Sequence, residues 1–269
     1  MAHQASSFVH IDWQGRAIRI EHQWLNAHLG DAPLMVFLHE GLGSVAMWRD
    51  YPQQVCDALG VRGLVYSRPG YGQSTPRDAD EHWAPDFMHR QAHEVLPALL
   101  HALGVTQAPW LLGHSDGGSI ALLYASQHDT AGVVVLAPHI TVEEVSVNSI
   151  ALAKEAYENT DLRQRLARYH SDVDSAFWGW NRIWLAPEFR SWSIDNELST
   201  ISCPVLAVQG INDEYGTLAQ IRDIQRHVPH TELLELNHCG HSPHRDQPTA
   251  LTQACVKFFQ AQLSPTAQP

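Results

Sequence analysis

The chain is poor in cysteine, poor in positive charge and without any long apolar run, and each shortage removes a class of protein. Its four cysteines (Cys56, Cys203, Cys239 and Cys255) form no CxxC pair and no dense framework. A disulfide-built scaffold is therefore not expected, and a reduced, cytoplasmic protein is. Seventeen basic residues stand against twenty-nine acidic ones, a net charge of −12. Such a surface repels phosphate backbones and anionic lipid, which argues against nucleic-acid partners and membrane-surface binding. No apolar run approaches the roughly 20 residues of a membrane-spanning helix. The N-terminal stretch MAHQASSFVHIDWQG lacks a basic region followed by an apolar core, so no secretory leader is expected. The eighteen histidines are scattered rather than gathered into one tract.

What remains is ordinary globular material. At 269 residues, 44% hydrophobic and 17% charged, the chain can bury one large α/β core, with or without an inserted subdomain. No internal repeat appears, and the only biased segment is the polar tail LSPTAQP. Short apolar runs read as strands: RAIRIEHQWL, LMVFLHE, GLVYSRP, WLLGHS, GVVVLAPHI, PVLAVQG and TELLELN. Runs such as VVVLA are continuously apolar, as in strands covered on both faces. Helical patterns lie between them at YPQQVCDALG, FMHRQAHEVLPALLHAL, GGSIALLYASQ and TLAQIRDIQRHV. A last helix begins near Pro248, with Leu251, Ala254, Cys255 and Phe258 at helical spacing. This alternation predicts an α/β fold, a mostly parallel, doubly wound sheet of about eight strands. Residues 141–199 interrupt it, first polar and helix-like, then aromatic (Phe177, Trp178, Trp180, Trp184, Phe189, Trp192). The expected organisation is a core of residues 1–140 and 200–269 with a helical cap at 141–199, over the strand ends where open α/β sheets bind ligands.

Gly113-His114-Ser115-Asp116-Gly117 fits G-x-S-x-G between an apolar strand and a helical pattern. Glycines at 113 and 117 permit a sharp turn that lifts a serine hydroxyl over the sheet edge, where a helix N-terminus aims backbone N–H groups. By itself the pentapeptide reads equally well as a glycine-rich turn with an incidental serine. A nucleophilic serine needs a base and an orienting carboxylate. His114 and Asp116 are poor candidates, because consecutive side chains diverge in a tight turn; Asp116 is better suited to offer its backbone N–H to an oxyanion. PVLAVQGINDEYG places Asp213 in the turn after a strand, with Glu214 as its rival in register. TELLELNHCGHSPHRDQP carries His238, His241 and His244; His241 is favoured because Gly240 frees its backbone and Pro243 stiffens the loop beyond it. Ser115, Asp213 and His241 follow one another in the order that nucleophile-elbow enzymes use. The spacing His238-x-x-His241-x-x-His244 also resembles a metal site, but it falls on an irregular loop without an acidic cluster, so no metal is expected. Cys239 reads as buried and inert rather than as a reactive thiol.

These motifs together resemble the α/β-hydrolase fold superfamily over nearly the whole chain, as a serine esterase-like member with a helical cap. HEGLGSVAMW (His39–Trp48) resembles the family's HG-x-PG oxyanion loop, SRPGYGQS (Ser67–Ser74) its D-x-x-G-x-G-x-S loop, and Ser115 with GHSPHRDQP its elbow and histidine loop. The chain departs from the pattern at Glu40, where glycine is usual, at Leu42, where proline is frequent, and at Ser67 or Arg68 in place of the loop aspartate. The resemblance implies oxyanion donors at the backbone N–H groups of Gly41 (Leu42 as fallback) and Asp116, and no cofactor. Glu40 is expected to turn away and brace its loop, the alternative being that it tunes the site. Leu42, His139, Trp178 and Trp184 are the candidate substrate-lining residues.

The reading favoured is hydrolysis of small or medium carboxylic esters through an acyl-enzyme by a monomer or homodimer. The alternatives are a carbon–carbon bond hydrolase or cofactor-free perhydrolase on the same triad, and a non-catalytic ligand-binding protein of the same fold. Epoxide hydrolase and dehalogenase chemistry needs an aspartate at the elbow, and position 115 is serine.

Overall fold

Two strands of mixed polarity open the chain, β1 (Ser7–Trp13) and β2 (Arg16–Leu25), paired antiparallel with Ile11 opposite Ile18. Gln14 and Gly15 join them with φ of 58° and 71°, the geometry of a tight two-residue hairpin turn. β1 is absent from the strands read in the sequence; its alternation of polar and apolar residues suits an edge strand rather than a buried one. The remaining strands match the predicted runs: β3 (Leu34–Leu38), β4 (Arg62–Tyr66), β5 (Trp110–His114), β6 (Gly132–Leu136), β7 (Val205–Gly210) and β8 (Glu232–Leu236). This computed structural model describes residues 6–78 and 80–263; most of the tail LSPTAQP lies outside the described residues.

The sheet order is β1-β2-β4-β3-β5-β6-β7-β8, parallel from β4 to β8. Period-2 alternation splits each apolar run between two cores. Leu34, Val36 and Leu38 of β3 join Leu111, Val133 and Val135 on one face, while Met35 and Phe37 join Leu112, Val134 and Leu136 on the other. Each fully buried aliphatic side chain contributes roughly 1.5–3 kcal/mol.

The second face is covered by α1 (Tyr51–Leu59) and the C-terminal helix Pro248–Leu263. On the first face lie α2 (Phe87–Arg90), α3 (Leu96–Ala102) and α4 (Asp116–Gln127). The sequence suggests one helix from Phe87 to Ala102, but a π turn at Gln91–Val95 separates α2 from α3. Pro97 explains the break, since it lacks an N–H and its ring crowds the carbonyl one turn back.

Between β6 and β7 the chain leaves the sheet as α5 (Glu144–Asn159), α6 (Leu162–Leu166), α7 (Val173–Leu185) and α8 (Asp195–Leu198). A bridge between Thr141 and Ser193, with Ile194 N–H donating to Ile140 O at 2.9 Å, brings the two ends of this excursion together. α9 (Ala219–His227) follows β7, and α10 (Pro243–Asp246) with α11 (Pro248–Leu263) ends the described chain. Because β3 to β8 are parallel, His39, Ser115, His139, Asp213 and His241 all emerge at the same edge.

Candidate active site

Ser115 sits at the junction of β5 and α4 with φ 53° and ψ −122°, a conformation rare for a non-glycine residue and costing roughly 1–3 kcal/mol. The surrounding structure holds it there. Ser115 N–H donates to Leu136 O at 2.9 Å, extending the β5–β6 ladder. A side chain at Gly113 would collide with the Gly117 backbone, and one at Gly117 with the carbonyl end of β3. Both glycines are therefore required by close approach.

His241 Nε2 lies 3.0 Å from Ser115 Oγ, and its Nδ1 lies 2.9 and 3.0 Å from the two oxygens of Asp213. Asp213 is held in turn by the N–H groups of Tyr215 (2.8 Å) and Gly216 (3.2 Å) and by Gln209 Nε2 (3.1 Å). Burial raises its pKa, but the His241 hydrogen bond and charge and the Tyr215 N–H outweigh that and leave it below the usual carboxylate value. The rival Glu214 accepts the backbone N–H of His241 at 3.2 Å, so it supports the loop rather than the imidazole. Asp246 accepts the Gly240 N–H at 2.8 Å.

His114 and Asp116 stay out of this chain. His114 Nε2 donates to the His241 carbonyl at 2.7 Å, tying the end of β5 to the histidine loop. Asp116 is 1% exposed; its Oδ1 accepts from Trp184 Nε1 at 3.2 Å, and its Oδ2 lies 3.9 Å from Arg68. Burial raises its pKa, against the lowering influence of Arg68 and the Trp184 N–H. As the first residue of α4, Asp116 has no partner for its backbone N–H inside the helix.

The loop after β3 is anchored through one carbonyl. Glu40 O accepts from Gly43 N–H (3.0 Å), from Arg68 Nη2 (2.9 Å) and from His39 Nδ1 (2.7 Å). The Arg68 N–H donates to His39 Nε2 at 3.0 Å, so the proton of His39 is on Nδ1. Burial, reinforced by Arg68, holds that imidazole neutral, well below its ordinary pKa. In a trans peptide the N–H points opposite to the carbonyl; three donors on Glu40 O therefore turn the Gly41 N–H to the far side. The Glu40 carboxylate folds back against Gly43, 3.6 Å from His114 Nδ1 and 3.5 Å from Arg245. Burial raises its pKa, but His114 and Arg245 prevail and hold it well below the usual range.

Arg68 itself is 1% exposed and lies over the Tyr71 ring at 4.9 Å. Where the resemblance expects a loop carboxylate at 67 or 68, a carboxylate from another strand stands beside the loop. Ser67 Oγ donates to Glu21 of β2 at 2.7 Å and accepts from Val45 N–H at 2.9 Å, and Glu21 also accepts the Gln73 N–H at 2.9 Å. Nothing in the local sequence signals this contact across the sheet.

The excursion between β6 and β7 forms the opposite side. Asp172 caps α7 by accepting Ser175 N–H at 2.9 Å. One face of that helix then presents Trp180 to Gly41, whose side-chain position the indole fills, and Trp184 to Asp116 and His139. Trp178, proposed from the sequence to line the site, does not join them. At about 100° per residue it lies far around the helix from Trp180 and Trp184, against Tyr157 and beneath Arg182. Trp180, not Trp178, stands beside Gly41.

His139 is 2% exposed, with its ring 4.9 Å from Trp184 and 5.8 Å from His241, and burial lowers its pKa to about 3. Leu42 is half-buried, and its carbonyl accepts from His170 Nε2 at 2.9 Å; His170 Nδ1 accepts the Gly72 N–H at 3.0 Å. One histidine of the excursion thus fastens both loops.

The three spaced histidines do not converge. His241 faces Ser115, His244 packs against Trp48 and Tyr51, and His238 is exposed. Cys239 is buried, and burial pushes its thiol pKa up to about 11.

Comparisons with known proteins follow the same lines. Residues 35–254 match the Alpha/beta hydrolase family. Among solved structures, the chain is similar to an esterase from Thermogutta terrifontis (TM-score 0.71, 18% identity, 97% of this chain and 100% of that one). It is similar to the enol-lactonase of Burkholderia xenovorans LB400 (0.70, 20%, 90% and 97%) and to a proline iminopeptidase of Mycobacterium smegmatis (0.72, 16%, 95% and 98%). With the match spanning most of the chain and the eight-stranded sheet in place, this protein belongs to the alpha/beta hydrolase family.

Proposed function

We propose that the protein is a serine hydrolase cleaving small or medium carboxylic esters through an acyl-enzyme. The observation that carries the reading is the hydrogen-bonded series Ser115–His241–Asp213, with its serine held in a strained turn above the sheet edge. Ser115 Oγ attacks the ester carbonyl while His241 Nε2 takes its proton. Asp213 keeps the imidazole proton on Nδ1 and stabilises the imidazolium. The Gly41 and Asp116 N–H groups receive the oxyanion, each worth about 3 kcal/mol in the transition state. His241 then protonates the departing alcohol, and water, with His241 as base, releases the acid and restores Ser115.

Residues 141–199 serve as the cap, and Leu42, His139, Trp180 and Trp184 line the acyl side. The esterase and lactonase among the similar structures support ester chemistry, open or cyclic. A fluorophosphonate is expected to label Ser115 and abolish p-nitrophenyl ester hydrolysis. Folded protein that takes no label, or activity removed by chelators instead, overturns the reading. A panel of ester acyl lengths against vinylogous diketone acids separates ester from carbon–carbon cleavage.

A further inference from the structure

Cations are scarce in this chain, seventeen against twenty-nine acids, yet four arginines converge on one surface cavity of about 300 Å³. Arg49 ends the loop after β3, Arg165 and Arg168 lie on α6 and the turn after it, and Arg245 lies in α10. Three separate parts of the chain thus bring like charges together. None of the residues lining the cavity is acidic. Two of the arginines have outside partners: Arg165 reaches exposed Asp161 at 3.2 Å, and Arg245 lies 3.5 Å from Glu40. The side chains of Arg49 and Arg168 have neither an ion pair nor a hydrogen bond among the described residues.

Two further features suit a ligand. Leu162 and Leu166, one turn apart on α6, give the cavity an apolar wall. Arg49 has φ 54° and ψ −133°, a backbone region that is essentially glycine's own. Strain of this kind persists where the surroundings enforce it and gathers at ligand-holding sites.

We infer that this cavity binds an organic oxyanion, a carboxylate or phosphate head gripped by Arg49 and Arg168, with a short apolar body against Leu162 and Leu166. Planar guanidinium groups match the paired oxygens of either head. The pocket is concave and of single-molecule size, and a chain of net charge −12 is repelled by an anionic bilayer, so the occupant is a free small molecule. The inference does not depend on the hydrolytic reading, because binding needs no turnover.

Calorimetric titration of the full chain with octanoate and with octyl phosphate, both below their micellar range, tests it; 1-octanol is the neutral control. One or both anions are expected to bind one per chain, more weakly as salt rises, and roughly tenfold or more tighter than octanol. The double variant Arg49→Gln/Arg168→Gln is expected to lose that advantage while keeping the wild-type Tm. Ser115→Ala is expected to bind as the wild type does, which separates this site from the proposed catalytic one. The proposal is overturned if neither anion binds better than octanol, if the double variant binds unchanged, or if Ser115→Ala abolishes binding. It is equally overturned if phosphatidylglycerol vesicles are captured through Arg49 and Arg168 while the monomeric anions are not.

Discussion

On the wall of the site built from the loops after β7 and β8, each carboxylate meets a donor at hydrogen-bond distance: Asp213 the imidazole of His241, Glu214 the His241 N–H, Asp246 the Gly240 N–H. On the facing wall, built from the loops after β3 and β4 and the start of α4, Asp116 does hold the Trp184 N–H at 3.2 Å, but opposite charges face one another only at longer range. Glu40 lies 3.6 Å from His114, and Arg68 lies 3.9 Å from Asp116, whose Oδ2 has no hydrogen-bond partner. In the proposed mechanism the first wall directs a proton through fixed contacts. The second holds a cluster of charges around the peptide proposed to meet developing negative charge, so in that mechanism its influence is exerted through orientation and field.

Breaking the series that runs from Ser115 into the first wall is expected to have the largest effect. Ser115→Ala should lower kcat on p-nitrophenyl esters at least about a thousandfold. Asp213→Asn should cost about 10³–10⁴ in kcat with the fold intact, because the imidazole loses its orienting acceptor. Glu214→Gln, which disturbs only a backbone contact, should cost no more than about tenfold. Steady-state kinetics with circular dichroism checks all three. A severe loss from Glu214→Gln beside a mild one from Asp213→Asn would reverse the assignment of the two acids.

The second wall breaks through Arg68. Losing its bond to Glu40 O leaves two of three donors and loosens the peptide that, in the proposed mechanism, aims the Gly41 N–H, and a misplacement of about 1 Å can cost about a hundredfold in rate. Arg68→Met is therefore expected to lower kcat about a hundredfold with KM nearly unchanged, and to weaken a boronic acid inhibitor in the same proportion. The double variant Arg68→Met/Asp116→Asn removes both charges and avoids a lone buried carboxylate. If its Tm recovers while kcat stays low, Arg68 acts through the Glu40 carbonyl; recovery of both shows that Asp116 alone mattered.

The two walls also differ in how readable they are from sequence. The elbow, Asp213 and His241 each follow an apolar strand, and the parallel order of β5, β7 and β8 brings strand ends together without further information. β3 to β7 are legible for the same reason, as largely apolar runs, and β8 as a leucine-rich run broken by Glu232 and Glu235. β1 is not, because an edge hairpin's alternation resembles a polar terminal segment. The cluster Glu40–Arg68–Asp116 joins three loops distant in sequence, and no spacing rule pairs them. Glu21 beside Ser67 is hidden likewise, since it depends on strand register. Choosing Trp180 over Trp178 needs the rotational phase of α7 against the sheet, which its packing decides.

A pH measurement probes the border between the walls. Burial lowers the pKa of His244 to about 2 from its ordinary 6.5, with His114 adding to the effect. Below about pH 6.5 the unfolded chain binds a proton that the folded chain refuses until about pH 2, so stability falls as the medium is acidified through that window. The loss due to this one residue is about 2 kcal/mol between pH 8 and pH 5. His244→Gln is expected to remove that much of the pH dependence in urea unfolding, whatever it does to stability at pH 8. An unchanged slope would mean that the ring is protonated in the folded state.

The smallest effects separate two tryptophans one turn apart on α7. Trp184 spends its indole N–H on Asp116 at 3.2 Å. Trp184→Phe strips a donor from a buried carboxylate and is expected to destabilise the fold by about 1–3 kcal/mol, visible as a lower Tm. Trp180 Nε1 lies against Gly41 without a hydrogen-bond partner among the described residues, and it is not among the polar atoms sealed inside the protein. Its N–H is therefore available to a substrate oxygen beside the proposed oxyanion position. Trp180→Phe is expected to raise KM for p-nitrophenyl butyrate about fivefold, the worth of one neutral hydrogen bond, with kcat nearly unchanged. Should kcat fall instead while KM holds, the indole acts on the transition state, and the facing wall would supply a third donor there.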